Sequence, residues 1–507
     1  VTGTPVTVNV DLATVKATVL PEVMSVHTSA YDNAMGATTT PPLLKAAGVR
    51  SLRFPGGSYA DGYHWSTHTM TGGHYVAPAA HFGAFVGLMD AVGAGALITV
   101  NYGSNPQGTG PGVPQEAAAW VAYANGSPAS TTSIGLDETG ADWKTVGYWA
   151  SLRAASKLAT DDGLNFLRIG RAAPIGIKYW ELGNELYGNG FYYGGEGWEI
   201  DLHLPQDGTA RKDHPELSPA KYGAVFPTFA AAMKAVDPTI KVGAVLHWPY
   251  NEYTSPDWND NVLSSATCAA MDFGVNHWYA GTSLTQLLTT PRTDIPKMFS
   301  DLADKVATRC PTRSGKIPLA ITEWGPNVNN FEITPPASTQ LVGVFAADSY
   351  AHFMEQGAVH VDWLELHNGS YLTEADVPQW GYKGQQMAGY LANAGDAMVA
   401  ATLETPPEAF AAGLLQAHAA KRVDGSATVM LVNTSPTAIA AATIKVAGLA
   451  AASKLPCVGT RYTYAPVNGD NDGQVSVAPI FSNNDATNQV SVEVPAYSVV
   501  VVAFPGG

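Results

Sequence analysis

Between residues 20 and 395, short apolar runs rich in β-branched residues alternate with longer stretches whose apolar positions follow a helical period. Eight runs read as strands, at 23–27, 49–54, 96–102, 177–182, 240–246, 271–277, 319–322 and 359–366. The helical stretches between and after them fall at 42–47, 81–92, 145–160, 219–236, 258–270, 295–308, 339–356 and 384–394. Strand then helix, eight times over, predicts an α/β fold of the (β/α)8 TIM-barrel kind. From residue 398 the period changes to two, in "SATVMLVN", "ATIKVAGL", "QVSVAPI" and "VSVEVPAYSVVVVAF", with a hairpin signal at Asn468-Gly469. This predicts a C-terminal all-β sandwich over 398–507. The opening "TPVTVNVDLATVKATV" alternates in the same way, so residues 1–19 are assigned to that sandwich and 20–397 to the barrel. The stretch 187–217, rich in Gly, Tyr and charge, is too long for a plain connection.

Composition narrows the partners. A chain of 507 residues, 46% hydrophobic and 14% charged, can bury a large core, which excludes general disorder. Its 43 acidic against 27 basic residues give a net charge of -16, which repels phosphate backbones and anionic lipid. Nucleic acid and membrane are therefore excluded as partners, and no run of about 18 apolar residues exists to span a bilayer. The start at Val1 rather than Met matches a mature secreted chain, so an extracellular or periplasmic location is expected. Three cysteines are too few for a disulfide framework and lack metal-site spacing; Cys268 and Cys310 are the candidate pair because they lie in one region.

No motif calls for a cofactor. No glycine-rich phosphate loop follows a strand, and His64 and His68 lack the Glu of a zinc helix between them. Asp470 and Asp472 lack the later Glu of a calcium loop, and "GGSYA" ends in Ala, which argues against Ser58 as a nucleophile. No metal is expected.

Barrel reaction sites lie at the C-terminal ends of the strands. "YWELGNE" brings Asn184 and Glu185 just past strand four, and "LAITEWG" brings Glu323 to the end of strand seven. Two carboxylates from separate strands can divide the work of glycosidic bond cleavage, one protonating the leaving oxygen and the other attacking the anomeric carbon or activating water. Either one alone would read as a solvated or ion-paired loop residue. Glu181 lies in an otherwise apolar strand and needs a counter-charge, for which Arg53 at the end of strand two is the candidate; this pair reads as site support.

"LRFPGGSYADGYHW" (52–65), "WELGNE" (180–185), "NHWYAG" (276–281) and "ITEWG" (321–325) together resemble the clan A retaining glycosidases, and within that clan the α-L-arabinofuranosidases of glycoside hydrolase family 51. The resemblance implies Glu185 as acid/base, Glu323 as nucleophile, and Asn184 as the partner of the sugar hydroxyl beside the anomeric centre. It implies further that His277 and Tyr279 come from strand six, with Tyr279 holding the nucleophile; for His277 a satisfied core imidazole is the competing reading. Two departures stand out. The family has Asn after "PGG" and a Glu-His pair after strand one, whereas this chain has Ser58 and "SVHTSAYD".

Aromatic side chains expected at the mouth are Trp65, Tyr192, Tyr193, Trp198, Trp248, Trp278, Trp324 and Trp363, about half of them as sugar platforms. Asn101, Glu365, His367 and Asn368 are candidate polar contacts at strand ends. The expected substrate is an oligo- or polysaccharide, with an α-L-arabinofuranoside first. An endo-β-glycanase or β-glycosidase of the same clan remains open, as does a non-catalytic carbohydrate-binding protein. A retaining pair predicts carboxyl groups about 5–5.5 Å apart, an inverting pair about 6.5–9.5 Å.

Overall fold

In the computed structural model the described residues are 6–188, 198–205, 217–249, 258–281, 283–313, 317–326, 337–367, 371–404, 414–449, 454–465, 474–482 and 488–505. Eight parallel strands close into a barrel: Ser25–His27, Ser51–Phe54, Gly95–Val100, Tyr179–Leu182, Lys241–Val245, Phe273–Tyr279, Leu319–Gly325 and His360–Trp363. They neighbour one another in chain order, and the eighth pairs with the first through Asp362–Ser25 and Trp363–Val26. The (β/α)8 expectation is thus met.

The helices lie outside the ring, and some are delimited by side-chain caps. His81 caps Phe82–Val92 by accepting from the Ala84 amide, and Gly93 ends that helix at φ 76°. Ser283 and Gln286 form a reciprocal capping box at Leu284–Thr289. One barrel helix escaped the periodicity reading. Pro114–Asn125, "PQEAAAWVAYAN", has residues 116–124 all buried, so it lacks the polar stripe that marks a surface helix. Trp120 within it stacks on Trp65 at 5.5 Å and anchors a cluster with Phe54 and Phe82.

The second region is a single nine-stranded sheet. Its order is Ser476–Phe481, Val458–Tyr464, Ser498–Phe504, Ala427–Asn433, Leu415–Lys421, Ala397–Glu404, Val6–Thr18, Ile439–Ala447 and Gln489–Val494. The sheet folds over so that both limbs share one core, containing Val8, Leu431, Ile444, Val492 and Val502. The N-terminal strand Val6–Thr18 is interior, antiparallel to Ala397–Glu404 and parallel to Ile439–Ala447. The Asn468-Gly469 turn and the Asp470 and Asp472 pair lie outside the described residues, as does most of the long loop after strand four. Cys268 and Cys310 form a disulfide with Cα atoms 5.5 Å apart, closing the helix Ser265–Ala270 onto the end of Pro291–Arg309. No described helix is long and apolar enough to cross a membrane.

Candidate active site

Arg53 is the next-to-last residue of strand two, and its side chain is fully buried. It donates through Nε to Glu181, through Nη1 to Glu323 Oε1 at 2.8 Å and through Nη2 to Asn184 Oδ1 at 2.8 Å. One cation thereby pairs a buried carboxyl group of strand four with the candidate nucleophile of strand seven, and burial of either without that partner would be costly. Thr99 Oγ1 adds a donor to Glu181 at 2.6 Å. The chain leaves strand two through Gly56 at φ 62° and Gly57 at φ 63°. A Cβ at Gly56 would lie 2.3 Å from His27 Nε2, so only glycine lets the loop pass over that ring.

Glu323 is 5% exposed. Tyr279 donates its hydroxyl to Oε2 at 2.7 Å, and His277 Nδ1 lies 3.4 Å from the same oxygen. Burial pushes its pKa up, but the charges of His277 and Arg53 outweigh burial and hold it below the ordinary carboxylate value. Glu185 follows Gly183 and Asn184 in the turn out of strand four, at φ 37°, a left-handed conformation rare for Glu and retained here at the mouth. Its Oε1 accepts from His277 Nδ1 at 2.8 Å and from Tyr187 at 2.9 Å, and its Oε2 from the Trp198 indole at 2.8 Å. Against burial, the His277 bond and charge and these two donors bring Glu185 down to about 2. His277 is raised: burial opposes its charge, and Glu323 and Glu185 together overcome that. Its Nε2 meets Thr322 Oγ1 at 3.0 Å. The ligand atoms of Glu185, His277 and Glu323 all lie within 4.8 Å of one another. That triangle suits a shared proton better than a metal ion, because Arg53 already stands 2.8 Å from Glu323.

Asn184 is buried between two partners. Its Oδ1 takes the Arg53 bond, and its Nδ2 donates to Glu199 Oε1 at 3.0 Å. Glu199 escaped the sequence reading altogether. It accepts also from Ser58 Oγ at 2.7 Å, so Ser58 contacts a third buried carboxyl group beside the pair. Burial, then Asp61 and Glu185, push the Glu199 pKa well above the carboxylate range, which favours its neutral form. The signal available was "WEID" at 198–201, acidic residues inside an aromatic loop. A fourth carboxyl group, Glu365, accepts from Ser29 and, at 3.1 Å, from Tyr31. The loop "SVHTSAYD" after strand one thus holds an acid supplied by the end of strand eight.

Other expected contacts are placed differently. Trp324 and Trp363 are fully buried, 4.8 Å apart edge to face, and Trp324 also packs on Tyr350 and Phe353. Side chains alternate along a strand, so with Glu323 turned inward Trp324 faces the helical shell. Trp65 and Trp278 are core residues as well. His367 is buried between Asp32 Oδ2 at 2.6 Å and Asp376 Oδ1 at 3.1 Å, and so ties loops together. Asn101 is spent on the Tyr63 carbonyl and the Ser104 amide. Trp248 donates to Asp301 at 2.8 Å and lines a cavity with Lys297 and Lys305 that contains neither Glu185 nor Glu323. Tyr192, Tyr193 and Asn368 lie outside the described residues. Trp198, Tyr279 and His277 do meet the carboxylate pair, and Ser58 and Asn184 flank it through Glu199.

No protein-family model matches the chain. A probable α-L-arabinofuranosidase C of Aspergillus fumigatus is 24% identical over 303 residues, covering 56% of this chain and 45% of the fungal protein. The chain thus spans about half the length of the curated relatives it matches. A family 51 α-L-arabinofuranosidase of Thermotoga petrophila shares the fold at a TM-score of 0.72, with 19% identity over 98% of this chain and 99% of that one. A family 44 xyloglucanase of Paenibacillus polymyxa superposes at 0.63, with 14% identity over 99% and 100% of the two chains. By sequence to the curated arabinofuranosidase and by fold to the family 51 enzymes, this chain is similar to the clan A glycosidases of family 51.

Proposed function

We propose that the protein is a retaining glycoside hydrolase that releases terminal α-L-arabinofuranosyl groups from plant-type polysaccharide. The observation that carries this reading is the carboxylate pair from strands four and seven, whose nearest oxygens lie within 4.8 Å and share His277. So close an approach favours a nucleophile and an acid acting on one anomeric carbon over a pair that holds a water between them. Glu323, kept ionised by Arg53 and aligned by Tyr279, attacks the anomeric carbon. Glu185 receives the proton that His277 Nδ1 holds 2.8 Å away and passes it to the leaving oxygen. Once Glu323 is bonded to the sugar, Glu185 takes a proton from water and returns it to His277, while the oxygen of that water displaces Glu323 from the anomeric carbon, which releases the sugar and restores both carboxylates.

For the substrate, two features favour a closed pocket over a polymer groove. Four expected platforms, Trp65, Trp278, Trp324 and Trp363, are buried in the wall, and Trp198 is tied to Glu185. Both the Ser58–Glu199 pair and the fold likeness to a xyloglucanase favour a second reading, a β-glycanase of the same clan. The Cys268–Cys310 bridge supports a secreted location, since disulfides persist in oxidising compartments. Hydrolysis of aryl α-L-arabinofuranoside, aryl β-D-xyloside, aryl β-D-glucoside, arabinoxylan and soluble β-glucan tests the proposal, with Glu323→Gln as control. Arabinose release that disappears in the control is expected. Cleavage of β-glucan alone would retain the machinery and replace the substrate, and activity in the Glu323→Gln protein would remove Glu323 from the nucleophile role.

A further inference from the structure

The barrel helix Ala337–Gln356, which packs against the nine-stranded sheet, carries Asp348, His352 and Glu355 at i, i+4 and i+7, one face of a helix. Strand Leu415–Lys421 sets His418 opposite them. Asp348, His352 and His418 are 3%, 7% and 1% exposed. His418 points Nδ1 at Glu355 Oε1 and Nε2 at Asp348 Oδ1, each at 3.0 Å. His352 is turned the same way, Nδ1 3.8 Å from Glu355 Oε2 and Nε2 3.8 Å from Asp348 Oδ1. The His352 Nε2 is buried and makes no hydrogen bond. Lys16, from the N-terminal strand, neutralises Glu355 at 2.9 Å.

Two imidazoles that direct Nδ1 to one carboxylate and Nε2 to another have the arrangement of metal-binding histidines, in which an outer carboxylate fixes the tautomer and ring plane while the other nitrogen ligates. We propose that Asp348, His352 and His418 form a zinc site that fastens the sheet to the barrel, with Glu355 orienting both rings and Lys16 balancing Glu355. The three ligand atoms lie within 4.8 Å of one another. Zinc at about 2.0–2.1 Å from each would need them about 3.3 Å apart, a contraction that small side-chain rotations supply. Two imidazole nitrogens and a carboxylate oxygen suit zinc, and the second Asp348 oxygen or a water completes a tetrahedron. The site shares no residue with the carboxylate pair.

The test uses the full chain, stripped with chelator, dialysed against zinc and then against buffer, with metal content by mass spectrometry and Tm by calorimetry. One equivalent of zinc per chain and a Tm rise of several degrees are expected. His352→Gln removes one ligand at a position whose Nε2 holds no hydrogen bond, and circular dichroism checks its fold. It should lose the equivalent and the Tm shift. A wild type that retains no zinc overturns the proposal and leaves the cluster a hydrogen-bonded imidazolium clamp. Equal zinc in His352→Gln overturns it as well, as an adventitious ion only.

Discussion

His277 stands between two carboxylates whose ionisation it governs in opposite settings, 2.8 Å from Glu185 and 3.4 Å from Glu323. Its raised pKa keeps a proton in the site above the ordinary imidazole value of 6.5, and that proton is lost as pH rises through the raised value. Glu323, held below the ordinary 4.5, stays ionised until pH falls beneath that value. The pH profile of kcat/KM should accordingly be bell-shaped, with its acid limb below 4.5 and its alkaline limb above 6.5, both belonging to the coupled group rather than to one residue. In His277→Gln the acid limb should move to higher pH, because Glu323 loses its foremost opposing charge while its burial remains. An unmoved limb would show that Arg53 alone keeps Glu323 ionised. The carboxylates were legible as residues from "WELGNE" and "ITEWG", and the Arg53–Glu181 pairing from a charge set in an apolar strand. Glu199 was not, since its raised pKa arises from burial and then from the charges of Asp61 and Glu185, which come near it only in the folded chain.

At the scale of the element, strand Leu319–Gly325 is buried along its whole length, so burial alone does not separate its two faces. The pleat does: Glu323 turns to the mouth, and Trp324 turns into the cluster of Tyr350, Phe353 and Trp363. Trp324→Ala should therefore cost about 3–5 kcal/mol in urea or thermal unfolding, as cavity formation does for large aromatic side chains. The KM for an aryl glycoside should stay near the wild-type value at a temperature where the variant is folded. A large rise in KM with little loss of stability would return Trp324 to the substrate. The helix Pro114–Asn125 teaches the related point that an element buried on every side loses the amphipathic period by which a sequence announces it.

For the whole molecule, the sheet is not an appendage. Its interior strand Val6–Thr18 precedes the barrel in the chain, and Tyr462 of the sheet stacks on Tyr390 of the last barrel helix at 3.9 Å. A Cβ at Gly343 would lie 2.6 Å from the Tyr464 hydroxyl, so the helix Ala337–Gln356 admits the sheet only at a glycine. Deleting 398–507 should expose the apolar face that Val6–Thr18 presents to its neighbours, together with the helix Ala337–Gln356. The shortened chain should appear in the insoluble fraction, and the intact chain should unfold in one calorimetric transition. A soluble, active 1–397 fragment would show that the barrel stands alone.

What the sequence determined by itself is what depends on local period and on residue identity. The eight strand-helix units, the change to a two-residue alternation, and two glutamates at strand ends are all properties of neighbours in the chain. The resemblance to family 51 enzymes rested on such contiguous motifs too, and the curated relative and the shared fold agree with it. Tertiary structure decided whatever requires distant segments to meet. It chose which tryptophans line a wall rather than a mouth, seated Ser58 against Glu199, and put Glu365 beside the loop after strand one. It also gathered Asp348, His352 and Glu355 around His418, more than sixty positions further along the chain. The physical reason is the range of the interactions: periodicity and capping act within a few residues, whereas burial and charge act across space, and closing the barrel is what brings those charges together.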